Sequence, residues 1–140
     1  MKTIGNEIMI LYDSASHEGR KTLAYAHTIS PNVKSWDYSL LPLTGAMWQQ
    51  LLSMLQLHPK ELLDKSHPYY QTHIQGHDFD PEGWLNILRQ STFLIQWPIL
   101  VKGDKAILCT TPESVFAILK GTAKHEQPNG RIMEEPGLSA

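Results

Sequence analysis

The segment that decides the fold lies near the start of the chain and reads IMILYDSASHEGRKTLAYA, residues 8–26. Its first five residues form a short, continuous apolar run, which is typical of a buried central strand. Residues 17–29 mix apolar and polar side chains up to Pro31, and this pattern predicts a helix. A strand that leads through a short polar loop into a helix N-terminus often holds an anion or a reactive group.

The patterns that follow predict further elements along the chain. Residues 33–38 alternate apolar and polar side chains, which indicates a half-buried strand. A helix is predicted at residues 45–57 after the cap Thr44, and Pro59 and Pro81 each open another helical segment. Residues 66–80 show no helical pattern. Residues 99–109 predict a β-hairpin around Gly103-Asp104, and residues 111–113 begin a last helix.

This order of elements predicts the fold class. The first strand-helix-strand unit is expected to be parallel with a right-handed crossover, and the hairpin adds two antiparallel strands. We therefore predict an α/β protein of the thioredoxin-like fold, with a four-stranded mixed sheet, helices on both faces and a helical insertion. Residues 1–122 are predicted to form the domain. Residues 123–140, rich in Gly, Pro and charge, are predicted to form a flexible tail.

Length, charge and cysteine content narrow the function classes. A chain of 140 residues fits one domain with a proper core. The net charge is -2 and no run of Lys or Arg occurs, so direct binding to nucleic acid is not expected. No apolar signal region or long apolar stretch is seen, which predicts a cytoplasmic protein without a membrane span. The single cysteine, Cys109, excludes a disulfide within the chain.

Two later segments carry a family resemblance. Residues 93–107 read FLIQWPILVKGDKAI, and residues 59–65 read PKELLDK. Together with the opening strand, tyrosine, loop and arginine-bearing helix start, they resemble the arsenate reductase family, which also contains the Spx-type transcriptional regulators. The resemblance covers about residues 8–119. It implies a reduced cysteine in the loop that attacks arsenate, and arginines that bind the oxyanion.

The chain departs from this family at the cysteine. Counted back from Arg20, the cysteine position holds Ser16; counted forward from Tyr12, it holds His17. A serine hydroxyl is a far weaker nucleophile than a thiolate and cannot form the sulfur bonds that the reduction needs. Cys109 lies at a strand end outside the loop. Arsenate reduction by the family mechanism is therefore not expected.

The chain also departs at the arginines. Three positions at which the resemblance implies an arginine hold other residues here: Asp64, Trp97 and Thr110. Of the arginines that would bind an oxyanion, Arg20 remains. The loss of three guanidinium groups and the gain of a carboxylate remove much of the electrostatic support for an oxyanion.

Ser16 has two interpretations. It can be an N-cap that accepts a backbone hydrogen bond, worth about 1 kcal/mol. It can also form an anion or thiol site with Arg20 and the free amides of residues 17–19, although the Glu18 carboxylate competes for those amides. Glutathione transferases share the thioredoxin core and place a serine or tyrosine hydroxyl near such a helix start. By that resemblance, glutathione is a candidate ligand.

The resemblance implies a cis peptide bond between Trp97 and Pro98, facing the loop. An exposed Trp97 would indicate a protein or peptide contact, and a buried Trp97 would fill the oxyanion site that the resemblance implies. The candidate binding residues share this end of the predicted fold and are Tyr12, Ser16, His17, Arg20, Trp97 and Pro98. The best candidates for the cysteine position are Ser16 and His17, and no catalytic residue is assigned with certainty.

The histidines of residues 67–77 raise the question of a metal site. His67, His73 and His77 lie with Asp78 in one connection, and two histidines four apart can share a helical face. The segment has no helix signal and no cysteine partner, however, so no metal site is predicted. Three hypotheses follow. The first is a catalytically degenerate binding or regulatory module for a protein partner or a small thiol or anion. The second is a glutathione-dependent enzyme that uses Ser16 or His17. The third is residual arsenate reductase activity.

Overall fold

A computed structural model describes residues 3–120, with side chains as far as Ile118. The strands are β1 (Ile8–Tyr12), β2 (Val33–Asp37), β3 (Ile99–Lys102) and β4 (Lys105–Leu108). The α-helices are α1 (His17–Ile29), α2 (Gly45–Leu55), α3 (Pro68–His73) and α4 (Pro81–Gln90). Short 3-10 helices cover Pro59–Leu62, Thr92–Leu94 and Pro112–Lys120. The predicted tail at residues 123–140 lies outside the described residues.

The four strands form one mixed sheet in the order β2-β1-β3-β4. β1 and β2 are parallel, with Tyr12 opposite Asp37, whereas β1 and β3 are antiparallel, with Leu11 opposite Ile99. β3 and β4 form the predicted hairpin, and Gly103 in its turn adopts a positive φ of 64°, which glycine tolerates without a Cβ clash. The predicted four-stranded mixed sheet is thus confirmed.

Alternation along β1 separates the core into two clusters, one on each face of the sheet. Ile8 and Ile10 pack with Ala26 of α1 and with Val115 of the last 3-10 helix. Leu11 points to the other face, where α2 and α4 supply the largest buried side chains, including Trp48 and Trp84. Because helices cover each face of the sheet, most side chains of β1, β3 and β4 are buried, whereas β2 at the sheet edge has only exposed or half-buried residues.

Several predicted boundaries need correction. The segment of residues 66–80 was expected to lack a helix, but α3 occupies Pro68–His73, where the His67 ring accepts a hydrogen bond from Tyr69 N at 3.0 Å. α2 ends at Leu55, two residues earlier than predicted, because Gln56 adopts a left-handed conformation with φ of 58°. β2 ends at Asp37 rather than residue 38. None of the helices in the described range is long and apolar enough to span a membrane.

Candidate functional site

The sheet topology gathers the candidate residues at one end, which we call the loop end. β1 and β2 both finish there, and the antiparallel β3 starts there. The backbone fixes these segments to one another: Tyr38 N donates to Tyr12 O at 3.0 Å, and Cys109 N donates to Pro98 O at 2.8 Å. The residues singled out by the sequence, from Tyr12 to Arg20 and Trp97-Pro98, therefore lie on segments that meet at the loop end.

The loop before α1 is closed by its own hydrogen bonds. Asp13 accepts twice, from Ser16 N through its carbonyl at 3.0 Å and from Ala15 N through Oδ1 at 2.9 Å. Ser16 has extended backbone geometry and its Oγ accepts from Gly19 N at 3.1 Å. Ser16 is therefore the N-cap of α1, one of the two roles that the sequence left open. The amides of His17 and Glu18 take no part in these bonds.

Arg20 and His17 are the basic side chains of this segment. Both are exposed, and they lie three residues apart on the first turn of α1, so they share one face of the helix. The Arg20 guanidinium donates from Nη1 to Ser14 O at 2.9 Å. Part of the hydrogen-bonding capacity of Arg20 is thus used to hold the loop.

Asp37 at the end of β2 ties the first loop to the second. Its Oδ1 accepts from Ser14 N at 3.3 Å, from Ser39 N at 3.0 Å and from Ser39 Oγ at 2.6 Å. Burial by itself would raise the pKa of Asp37, but the hydrogen bonds from Ser14 and Ser39 outweigh it and lower that pKa below the usual 3.8. Asp37 is therefore ionised at neutral pH.

Two carboxylates lie near a buried tyrosine at the loop end. Tyr38 is buried, and its pKa is raised first by desolvation and then by the carboxylates of Asp13 and Asp37. The influence of two carboxylates on one phenol indicates that both lie close to it. An oxyanion at this end would meet repulsion from Asp13 and Asp37.

Gly19 allows α1 to approach the loop closely. A Cβ atom at Gly19 would lie only 2.6 Å from Asp13 O, a backbone atom that cannot move without shifting the loop. The close approach lets Ser16 cap the helix while Asp13 closes the turn. Sequence analysis did not identify this role of Gly19, and no pattern of neighbouring residues reveals it.

Two of the positions where the resemblance implies arginines lie on segments that pair. Leu63 forms a β-bridge with Ile95, and Gln96 N donates to Leu62 O at 2.9 Å, which brings the segment of Asp64 beside the segment of Trp97. Asp64 Oδ1 accepts from Ser66 N and Ser66 Oγ, at 3.0 and 2.6 Å. This carboxylate organises a turn, which leaves it unsuited to replace an arginine.

Trp97 and Pro98 differ from expectation in one respect. The Trp97-Pro98 peptide bond was expected to be cis, but there is no cis peptide bond in the described part of the chain. Trp97 is half-buried against the core cluster that contains Leu11 and Ile99. It is therefore neither the exposed contact residue nor the buried site-filling residue that the sequence left open. Cys109 is 1% exposed and packs in the cluster on the opposite face, whereas Arg20 lies in solvent.

The histidines of residues 67–77 have separate surroundings. His67 caps α3 and contacts Phe93, while His73 stacks on Tyr69 with ring centroids 4.2 Å apart. His77 contacts Phe79 instead. Within residues 3–118, no group of three or more His, Cys, Asp or Glu side chains is arranged to hold a metal ion.

Two exposed leucines at the loop end were not singled out by the sequence. Leu40 is 78% exposed and Leu41 60% exposed, on the loop that follows β2. Leu40 N and Leu41 N both donate to Asp37 O, at 3.1 and 3.0 Å, and Trp36 Nε1 donates to Leu41 O at 2.6 Å. Trp36 is half-buried and supports this loop. The apolar run Leu40-Leu41-Pro42-Leu43 directly after a strand was the available signal.

Comparisons with known proteins identify the fold. No protein-family model matches the chain, and no curated protein matches it either. A presumed arsenate reductase of Yersinia pestis aligns with a TM-score of 0.72 and 21% identity, over 79% of this chain and 98% of the other. An arsenate reductase of Vibrio cholerae aligns with a TM-score of 0.72 and 18% identity, over 82% and 99%. The chain therefore has the α/β, thioredoxin-like fold of these proteins.

Proposed function

We propose that the protein is a catalytically degenerate binding module on an arsenate reductase-like fold, and that its loop end contacts a protein partner. The observation that carries the proposal is the use of Ser16, one of the two candidates for the cysteine position beside His17, as a helix cap whose Oγ is bonded to Gly19 N. A hydroxyl held in this way serves the helix rather than a reaction. Catalysis by the mechanism that the resemblance implies has no nucleophile here.

The electrostatics of the loop end support the same proposal. The Asp13 and Asp37 carboxylates are close enough to Tyr38 to raise its pKa. Arg20 is the basic residue that the family pattern retains, and it donates to Ser14 O. Stabilisation of an oxyanion transition state needs donors and positive charge aimed at the developing charge. The loop end presents the carboxylates of Asp13 and Asp37 in place of such donors.

The exposed leucines supply a reason to propose a protein partner. Leu40 and Leu41 present large apolar side chains to solvent, and the hydrogen bonds from Trp36 and to Asp37 hold their loop in one arrangement. An ordered apolar pair beside a half-buried tryptophan resembles the anchor of a protein interface, since apolar groups that are already fixed lose little entropy on binding. The carboxylates of Asp37 and Asp13, which both act on Tyr38 of the same loop, favour a partner with basic residues around its apolar contact.

The test uses paired aspartate variants on proteins from the native host. Leu40→Asp with Leu41→Asp is expected to abolish capture of a partner that the wild-type chain retains, because it places charge in the apolar anchor. Ile4→Asp is the matched control, since Ile4 is 82% exposed but lies by the hairpin turn, where Thr3 N donates to Gly103 O. Equal capture by the wild type and both variants, or loss with Ile4→Asp alone, would contradict the proposal.

A glutathione-dependent function is the second candidate. It is favoured by the exposed pair His17 and Arg20 on one face of the first turn of α1, beside two amides that the loop does not use. Ser16 or His17 would orient the bound thiol. Titration with millimolar glutathione, followed by the amide shifts of residues 16–20, is expected to show saturable changes if this function holds. Their absence would eliminate it.

Residual arsenate reduction is tested separately. The wild-type chain is expected to be inactive with arsenate, glutathione and glutaredoxin, because Ser16 cannot form the sulfur intermediates. Ser16→Cys asks whether the missing thiol is the sole obstacle. Turnover by the wild type at a rate typical of thiol-bearing reductases would contradict the proposed degenerate function.

A further inference from the structure

A cleft lies between α2, the 3-10 helix Pro59–Leu62 and α4, on the helical side of the molecule. Its volume is about 310 Å³. Eight residues line it: Gln49, Leu52, His58, Pro59, Phe79, Pro81, Trp84 and Leu85. None of them belongs to the loops of the loop end, so the cleft is independent of the function proposed above.

Three rings shape the cleft. The Trp84 ring meets the His58 ring at 82° and the Phe79 ring at 73°, and both centroid distances are 5.0 Å. Trp84 is buried, so its ring is fixed by the core and the other two rings are placed against it. Perpendicular contacts of this kind are favourable between aromatic rings. The cleft is therefore lined by surfaces that are already positioned to contact another flat ring.

The polar groups of the cleft lie at its mouth. His58 and Gln49 are exposed. The His58 Nδ1 accepts from Lys60 N at 3.1 Å, so Nε2 is the ring nitrogen left to act as a hydrogen-bond donor. The Gln49 carboxamide can donate as well. Among the described lining residues there is no Asp, Glu, Lys or Arg, so a formal charge on a ligand would find no opposite charge.

We propose that this cleft binds a small, uncharged bicyclic aromatic molecule that carries a hydrogen-bond acceptor. The size follows from the volume: an apolar cavity of about 150 Å³ accepts one benzene ring, so 310 Å³ accommodates two fused rings. The aromatic character follows from the rings of Trp84 and Phe79 that line the cleft. The acceptor follows from the donor at His58 Nε2. A few polar groups at the rim of a mostly apolar pocket are the usual arrangement of a small-molecule site.

The test compares two matched probes on the full chain. 1-Indanone and indane have the same bicyclic skeleton, but only 1-indanone has a carbonyl acceptor. In amide-resolved NMR titrations, both are expected to shift the signals of residues 79–85 and 49–52. 1-Indanone is expected to bind about fivefold more tightly, the effect of one hydrogen bond. No saturable shift with millimolar 1-indanone, or shifts confined to other regions, would overturn the proposal.

Three variants locate the binding. Gln49→Trp places a large side chain at the mouth and is expected to abolish the shifts, whereas Gln90→Trp, at an exposed position outside the cleft, leaves them unchanged. His58→Asp keeps an acceptor for Lys60 N but removes the ring donor. It is expected to remove the difference between the two probes. If Gln49→Trp retained binding in a chain with otherwise unchanged amide signals, the site would lie elsewhere and the proposal would be wrong.

Discussion

The loop before α1 and the cleft beside α4 use their polar groups in opposite ways. The carboxylate of Asp13 and the hydroxyl of Ser16 accept bonds from within the loop, and the carboxylate of Asp37, at the end of β2, accepts one from Ser14 N. In the cleft, polar side chains stand at an open mouth above fixed aromatic walls. The family resemblance points to the loop as the functional site, but the polar groups of the loop form hydrogen bonds that hold the loop itself. The cleft that we propose as a small-molecule site and the loop to which the family resemblance points are therefore separate parts of this molecule.

The largest expected effect comes from the closest contact in the loop. Gly19→Ala is expected to destabilise the protein by about 2 kcal/mol, because the new Cβ would lie 2.6 Å from Asp13 O and the overpacking outweighs the gain in helix propensity. Urea unfolding at neutral pH measures the change. If Gly19→Ala were more stable than the wild type, the loop would have room for the added methyl group. The loop would then not be held tightly by its own contacts, as the comparison with the cleft assumes.

Gly45→Ala is the matched control for that substitution. Gly45 is the first residue of α2, and its Cβ would have only an ordinary contact with Arg89 Cδ at 3.8 Å. We expect a neutral change or a gain of up to about 1 kcal/mol. The two glycines, compared in the same buffer, separate the steric effect from helix propensity.

A smaller effect is expected at the N-cap. Ser16→Ala is expected to cost about 1 kcal/mol, because Gly19 N loses its acceptor. Asp80→Ala removes the corresponding cap of α4, which accepts from Gly83 N at 2.7 Å, and should cost about as much. If Ser16→Ala instead raised stability in thermal unfolding, Ser16 would be strained for some purpose other than capping. That result would favour the glutathione alternative.

The smallest effect is the pH dependence of Asp37. Its lowered pKa means that the ionised carboxylate stabilises the folded chain at pH values above about 4, and that this contribution is lost as the pH falls below the usual 3.8. Asp37→Asn should therefore be less stable than the wild type at pH 7, by under about 1 kcal/mol for a largely solvated group. The difference should shrink below pH 4 in urea titrations. If the difference grew on acidification, the ionised Asp37 carboxylate would not be the form that stabilises the folded chain.

The sequence predicted the sheet because its signals are local. Residues 8–12 and the two arms around Gly103 have the apolar runs of buried strands, and Thr44 and Pro81 mark helix starts that the structure confirms. α3 was missed, although Pro68 stands in its first turn, because its six residues are too few to show a helical period. The expected cis bond at Pro98 came from the resemblance and not from the residues, and it was wrong.

The sites were less predictable because they depend on distant residues. Ser16, His17 and Arg20 could be named from one segment, but the link from their loop to the next one depends on Asp37, which comes 21 residues after Ser16. The cleft assembles Gln49, His58, Phe79 and Trp84 from three separate segments. In sequence, each looks like an ordinary helix or loop residue. Only packing of α2 against α4 brings them together.

The position of Cys109 makes the chain a reporter of its own opening. This residue carries the single thiol of the protein and is 1% exposed at the end of β4, in the core between the sheet and α1. A thiol reagent can reach it only when that face of the molecule separates. The rate of labelling in native buffer therefore measures how often the core opens, and the other 139 residues contribute no background signal.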